Sequence, residues 1–105
     1  MDDIERLRLL LSQLGSEWIA AAYVFGSYLA DRSKARDIDL LLVMQDDART
    51  RSEEVISSIR DLVARFAEHS DKPLHITRLL KRECDEVRFV EESHARLIWT
   101  EWQGG

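Results

Sequence analysis

The strongest periodic signal in the sequence is a helical stripe of apolar residues in the second half of the chain. Apolar residues at spacings of three and four share one helix face and predict a long amphipathic α-helix; they are Val55, Ile56, Ile59, Leu62, Val63, Phe66 and Ala67. Three short apolar runs lie around it, at Ile19–Phe25, Asp37–Met44 and Leu74–Leu80. These runs carry no helical stripe, and we interpret them as strands. The alternation predicts an α/β (α+β) domain, a small mixed β-sheet with helices packed against it.

Polar residues mark the expected boundaries of the helices. Asp2 and Glu5 have the spacing of a capping box before a first helix that starts at Asp3, and Gly15 predicts its end. A second capping pair, Thr50 and Glu53, precedes the long helix.

The remaining segments are shorter. Ser27–Arg36 is too polar for a strand and accommodates only a helical turn or two and a loop. After the third strand, apolar residues at helical spacing indicate another helix; they are Leu80, Cys84, Val87 and Val90. Leu97–Thr100 fits either a fourth strand or a last helical turn.

Composition narrows the classes of protein that the chain can belong to. Its 105 residues, 45% hydrophobic and 33% charged, predict a single globular domain over residues 1–105. The net charge of −5 disfavours nucleic-acid binding, because a duplex binder needs a basic face. The single cysteine, Cys84, and an acidic N-terminal stretch favour a cytoplasmic protein. The apolar runs are far shorter than the roughly 18 residues of a membrane span, so we expect no membrane insertion.

Two carboxylates and a Gly-Ser pair form the candidate site. Asp37 and Asp39 are two residues apart on a strand, so both side chains point to one face while Ile38 points to the other. Paired carboxylates suit hard cations such as Mg²⁺. Gly26 and Ser27 end the preceding strand; the glycine allows a phosphate to approach the backbone, and the serine can donate hydrogen bonds to it. The sequence therefore predicts a phosphate cradle facing a metal site.

Gly26-Ser27, nine intervening residues and Asp37-Ile38-Asp39 on the next strand resemble the signature of the DNA polymerase beta-like nucleotidyltransferase superfamily. The most similar form is its minimal nucleotidyltransferase (MNT) domain. The resemblance implies the nucleotidyltransferase fold, with Gly26 and Ser27 holding ATP or another NTP and Asp37 and Asp39 binding Mg²⁺ or Mn²⁺. The implied reaction transfers a nucleoside monophosphate to an acceptor hydroxyl, with pyrophosphate leaving.

One position departs from the family pattern. Members carry a third carboxylate on the following strand, and here His75 takes that place. An imidazole suits Zn²⁺ or Mn²⁺ better than Mg²⁺, and it can also serve as a general base, so we include His75 with Asp37 and Asp39 as a candidate catalytic residue. A strand histidine satisfied by hydrogen bonds is the alternative.

Charged residues near the site have weaker assignments. Arg36, with Arg32 and Lys34, could neutralise triphosphate oxygens, although a solvated loop explains these cations equally well. Three acids of the following helix could in principle replace the missing carboxylate; they are Glu83, Asp85 and Glu86.

The resemblance also suggests a partner. MNT domains are often encoded beside a small helical HEPN-type protein, and in several such pairs the helical protein is a toxic ribonuclease and the MNT domain acts as its antitoxin by binding or adenylylating it. Trp18 and Trp99 are expected in the core and Trp102 at an interface; self-association stays open. Three interpretations are therefore considered. Two are functions of the nucleotidyltransferase fold, an active nucleotidyltransferase and a catalytically impaired module that masks a partner. The third is a different fold, the receiver-like flavodoxin fold.

Overall fold

The computed structural model describes residues 2–14 and 17–101; the predicted helix end Gly15 and the predicted interface residue Trp102 lie outside them. Five helices and four strands alternate along the described chain: α1 (Asp3–Leu14), β1 (Ile19–Phe25), α2 (Ser27–Ala30), β2 (Ile38–Met44), α3 (Ser52–Ala67), β3 (Leu74–Leu80), α4 (Lys81–Val87), α5 (Phe89–Ser93) and β4 (Arg96–Thr100). A 3₁₀ turn over Asp46–Arg51 leads into α3. The three predicted strands, the short helix and the long helix are confirmed, and residues 96–100 form a strand.

The strands form one mixed sheet in the order β3-β2-β1-β4. β1 pairs antiparallel with β2 and β4, whereas β2 and β3 are parallel and are connected through α3. A receiver-like fold has a doubly wound parallel sheet, so that alternative is wrong.

The two faces of the sheet bury different side chains. Ile38, Leu40 and Leu42 of β2 point into the main core, where they pack with residues of α1 and α3 that include Leu7 and Phe66. The opposite face is a smaller apolar cluster; its members include Leu41, Val43 and Cys84, with Phe89 and Val90 packed against them. Because side chains alternate along a strand, Asp39 shares this second face with Leu41 and Val43.

Several local predictions have clear outcomes. The Asp2 carboxylate accepts a hydrogen bond from the Glu5 amide at 2.8 Å, which confirms the first cap. The Thr50 cap is wrong: α3 begins at Ser52 without a side-chain cap. The Thr50 hydroxyl instead donates to the Asp47 carbonyl within the 3₁₀ turn.

Other predictions need small corrections. The helix predicted through Val90 is broken at Arg88, which adopts φ 52° and separates α4 from α5. β1 has buried residues at Ile19, Ala22 and Val24, with half-buried residues between them. Trp18 and Cys84 lie in the apolar interior and Trp99 packs against it, as expected. Within the described residues, no helix combines the length and apolarity needed to cross a bilayer.

Candidate active site

Asp37 and Asp39 lie at the start of β2 with the buried Ile38 between them. Ile38 is fully inaccessible to solvent and anchors the strand in the main core. The two carboxylate side chains therefore emerge on the other face, and each is 29% exposed. The predicted pair of carboxylates on one face is thus present in the structure.

His75 joins this pair through the register of the parallel strands. Asp39 of β2 stands beside His75 of β3, so their side chains share a face. His75 Nδ1 lies 3.4 Å from Asp37 Oδ2 and 4.0 Å from Asp39 Oδ1. One ligand atom from each of the three residues lies within 4.8 Å of the others. The fold therefore assembles a cluster of two carboxylates and one imidazole, which we call the acid–histidine cluster.

Gly26 approaches the acid–histidine cluster from β1. Its backbone has φ 79° and ψ −155°, a conformation that is essentially restricted to glycine. Phe25 pairs with Asp39 across the antiparallel strands, which brings the turn against the carboxylate. A Cβ at position 26 would lie 2.5 Å from Asp39 Oδ2, closer than real contacts allow. The backbone conformation therefore requires glycine here, and a side chain at this position would also displace the Asp39 carboxylate.

Ser27 and Arg36 lie on the chain segments that flank the cluster. Ser27 is the exposed first residue of α2, directly after Gly26. Arg36 is exposed, immediately precedes Asp37, and forms no ion pair with a described residue. Both positions agree with contacts to an anionic ligand, and their predicted roles in nucleotide binding stay predictions.

The other loop cations are engaged by acids of the chain. Arg32 lies 3.5 Å from Asp2 and its guanidinium stands 5.4 Å from the centre of the Tyr28 ring. Lys34 Nζ is 4.0 Å from Asp31 Oδ2. Exposed pairs of this kind contribute little to stability.

The acids of α4 do not enter the acid–histidine cluster. Among the described residues, the members of the acid–histidine cluster are Asp37, Asp39 and His75. Glu83 accepts a hydrogen bond from the Leu80 amide at 3.0 Å and so helps to start α4. Asp85 and Glu86 are exposed on the same helix. The sequence alternative of a carboxylate supplied by α4 is therefore not supported.

The electrostatics of the site favour a bound cation. Burial raises the pKa of the Asp39 carboxyl, the negative charge of Asp37 raises it further, and the nearby His75 opposes these effects. A cation between the carboxylates would offset both their repulsion and their lost hydration. The two carboxylates fit the hard cation that the family resemblance implies, whereas the imidazole does not.

Two residues near the site were not identified from the sequence. Lys72 Nζ donates to the Ala35 carbonyl at 2.7 Å, and the Ile38 amide donates to the Pro73 carbonyl at 3.0 Å, so the segment before β3 holds the loop before Asp37. Phe89 of α5 packs edge-to-face on Phe25 with ring centres 5.1 Å apart. These contacts join residues that are distant in the sequence, so no local sequence pattern predicts them.

The mixed sheet, the Gly26 turn and the paired carboxylates define a protein with the nucleotidyltransferase-like fold. Comparison with known families agrees: a sequence model of the nucleotidyltransferase domain matches residues 4–98. The chain therefore belongs to the nucleotidyltransferase domain family.

Structural comparison is consistent with this assignment. The chain is similar to a crystal structure of a candidate nucleotidyltransferase from Sulfolobus solfataricus, with a TM-score of 0.54 and 19% sequence identity. The likeness covers 96% of this chain and 86% of the other, and it shows a shared fold. A search of curated proteins found no significant match.

Proposed function

We propose that the protein binds an NTP together with a divalent metal ion and transfers a nucleoside monophosphate, AMP when the NTP is ATP, to a partner protein. The observation that carries the proposal is the close approach of Gly26 to the Asp39 carboxylate. This contact brings a turn suited to phosphate against a group suited to the metal ion. Asp37 and Asp39 would hold the metal ion, while Gly26, Ser27 and Arg36 would contact the triphosphate.

The reaction joins the acceptor oxygen to the α-phosphorus and breaks the bond from that phosphorus to the bridging oxygen, so pyrophosphate leaves and the acceptor proton passes to a base. A bound metal ion supplies charge neutralisation at the phosphate oxygens. The residues of the chain would orient the triphosphate, and His75, the third member of the acid–histidine cluster, would act either as the base for the acceptor proton or as a ligand of the metal ion.

The partner in this proposal is a helical HEPN-type toxin, with the chain as the MNT-type antitoxin. The resemblance of the Gly26-Ser27 and Asp37-Ile38-Asp39 motif to the MNT domain is the basis of this pairing. The net charge of −5 supports a protein acceptor over a nucleic acid.

The test incubates the protein with a HEPN-type partner, a divalent metal salt and ATP labelled at the α-phosphate. Label is expected on the partner, and Asp39→Ala is expected to abolish it. Asp47→Ala is the matched control, because Asp47 is an exposed aspartate beyond the other end of β2. Transfer that survives Asp39→Ala, or that is lost equally in Asp47→Ala, would contradict the site assignment.

A second function is favoured by His75 itself. Under this second function the protein keeps the nucleotidyltransferase fold, its nucleotidyl transfer is impaired, and it masks its partner protein by binding alone. His75 stands beside Asp39 at the place where the resemblance expects a third carboxylate. Under this function the wild type binds the partner without labelling it, and His75→Asp creates or strongly raises transfer. Wild-type turnover at rates of about 1 s⁻¹ or more, typical of enzymes, would exclude it.

A further inference from the structure

The acid–histidine cluster differs in its chemistry from an all-carboxylate magnesium site. Mg²⁺ takes oxygen ligands and keeps several waters, whereas an imidazole nitrogen is a ligand for Zn²⁺, Co²⁺ and similar ions. Here one of the three candidate ligands is a nitrogen. The question is whether that nitrogen is positioned as a ligand or merely lies nearby.

The distances from His75 Nδ1 to the two carboxylates indicate that the nitrogen is positioned as a ligand. Two ligand atoms bound at about 2.0–2.2 Å to one tetrahedral or octahedral ion are about 2.8–3.6 Å apart. His75 Nδ1 and Asp37 Oδ2, at 3.4 Å, fall within this range. His75 Nδ1 and Asp39 Oδ1, at 4.0 Å, exceed it by about 0.4 Å. A small side-chain rotation closes that difference.

The exposure of His75 makes such a rotation possible and leaves the ion accessible. Its side chain is 60% exposed, while the two carboxylates are 29% exposed. The imidazole is therefore the most solvent-accessible group of the cluster. An ion held by these three groups keeps open coordination positions for water or phosphate oxygens, as in catalytic rather than structural metal sites.

We infer that the acid–histidine cluster selects a transition-metal dication, with affinity rising from Mn²⁺ to Co²⁺ and Zn²⁺, over Mg²⁺. The order follows the general preference of nitrogen-containing sites among first-row divalent ions. The inference deepens the proposed function, and rests on it for the use of the ion, but ion binding is measured without nucleotide. His75 is the residue that sets the selectivity.

The test titrates Mg²⁺, Mn²⁺ and Co²⁺ into chelator-treated protein by calorimetry, at a pH where free imidazole is neutral. The visible absorption of bound Co²⁺ provides a second readout. Wild type is expected to bind Co²⁺ at least about 100-fold more tightly than Mg²⁺. His75→Asp is expected to reduce this ratio at least about tenfold, because even outer-shell losses at metal sites cost about 10–100-fold. His75→Ala is expected to weaken Co²⁺ binding by a similar factor.

His69→Asp is the matched control, since His69 is an exposed histidine that lies next to Glu68 and outside the cluster. It should leave the ratio unchanged. A wild type that binds Mg²⁺ as tightly as Co²⁺, or a Co²⁺ affinity indifferent to both His75 variants, would overturn the inference. Nucleotide binding is followed separately with a fluorescent ATP analogue. Selective Co²⁺ binding without nucleotide binding would refute the proposed function alone, and nucleotide binding and transfer by a protein with no preference for Co²⁺ over Mg²⁺ would refute the inference alone.

Discussion

Replacing Gly26 by alanine probes the contact on which the site depends. The new Cβ has two separate costs. The first is conformational, because φ 79° with ψ −155° lies in a region that side-chain-bearing residues avoid. Residues forced into such regions cost about 1–3 kcal/mol. The second is steric, because the Cβ would meet Asp39 Oδ2 at 2.5 Å.

The two costs can be separated with a double-mutant cycle. In the Asp39→Ala background the nearest atom of residue 39 is its Cβ, at 3.6 Å, which is ordinary contact. Gly26→Ala then carries only the conformational cost. We therefore expect Gly26→Ala to destabilise the wild type more than it destabilises the Asp39→Ala variant. The coupling energy between the two sites should be about 0.5–3 kcal/mol, the range found for residues in contact.

Urea unfolding followed by circular dichroism measures all four proteins of the cycle. Each kcal/mol also lowers Tm by about 4–8 °C in a domain of this size. In the same proteins, Gly26→Ala should weaken divalent-ion binding because the Asp39 carboxylate must move aside. An unchanged stability would refute the conformational reasoning. A coupling of zero would refute the steric cost assigned to the Asp39 carboxylate.

Two further predictions concern charge and packing. Asp39→Asn should stabilise the metal-free protein at neutral pH. Burial and the charge of Asp37 raise the pKa of Asp39 in the folded state above its pKa in the unfolded chain. The wild type therefore loses stability as the pH rises from the unfolded-state pKa through the folded-state pKa. Urea unfolding across this pH range should show a flatter profile for the variant, and identical profiles would contradict the assignment. Phe66→Ala should cost about 3–5 kcal/mol, because the ring is fully buried between α3 and the sheet. Ile56→Ala on the same helix is 43% exposed and serves as the control; its cost should stay below about 1 kcal/mol, and similar losses at both sites would refute the predicted core.

Most elements of the fold follow from local patterns. The bounds of β3 and the buried residues Val55, Leu62 and Phe66 of α3 were predicted correctly, because periodicity reports which side of an element is buried. Ile56 and Ala67, which the predicted stripe also included, are exposed. The start of α3 was predicted incorrectly. The Thr50 hydroxyl could either cap the helix or bond within the preceding turn, and in the structure it donates to the Asp47 carbonyl of the 3₁₀ turn. The break at Arg88 was also missed, since an arginine with positive φ leaves no signal in composition.

The sequence by itself determined that Asp37 and Asp39 share one face, because alternation along a strand is a local property. It also marked Gly26 and Ser27 as the end of a strand. Only the tertiary structure decided that His75 stands beside Asp39, and that a side chain at position 26 would collide with that carboxylate. Strand order and register are selected by burying whole faces of the sheet at once, and residues distant in sequence meet only when that burial is complete.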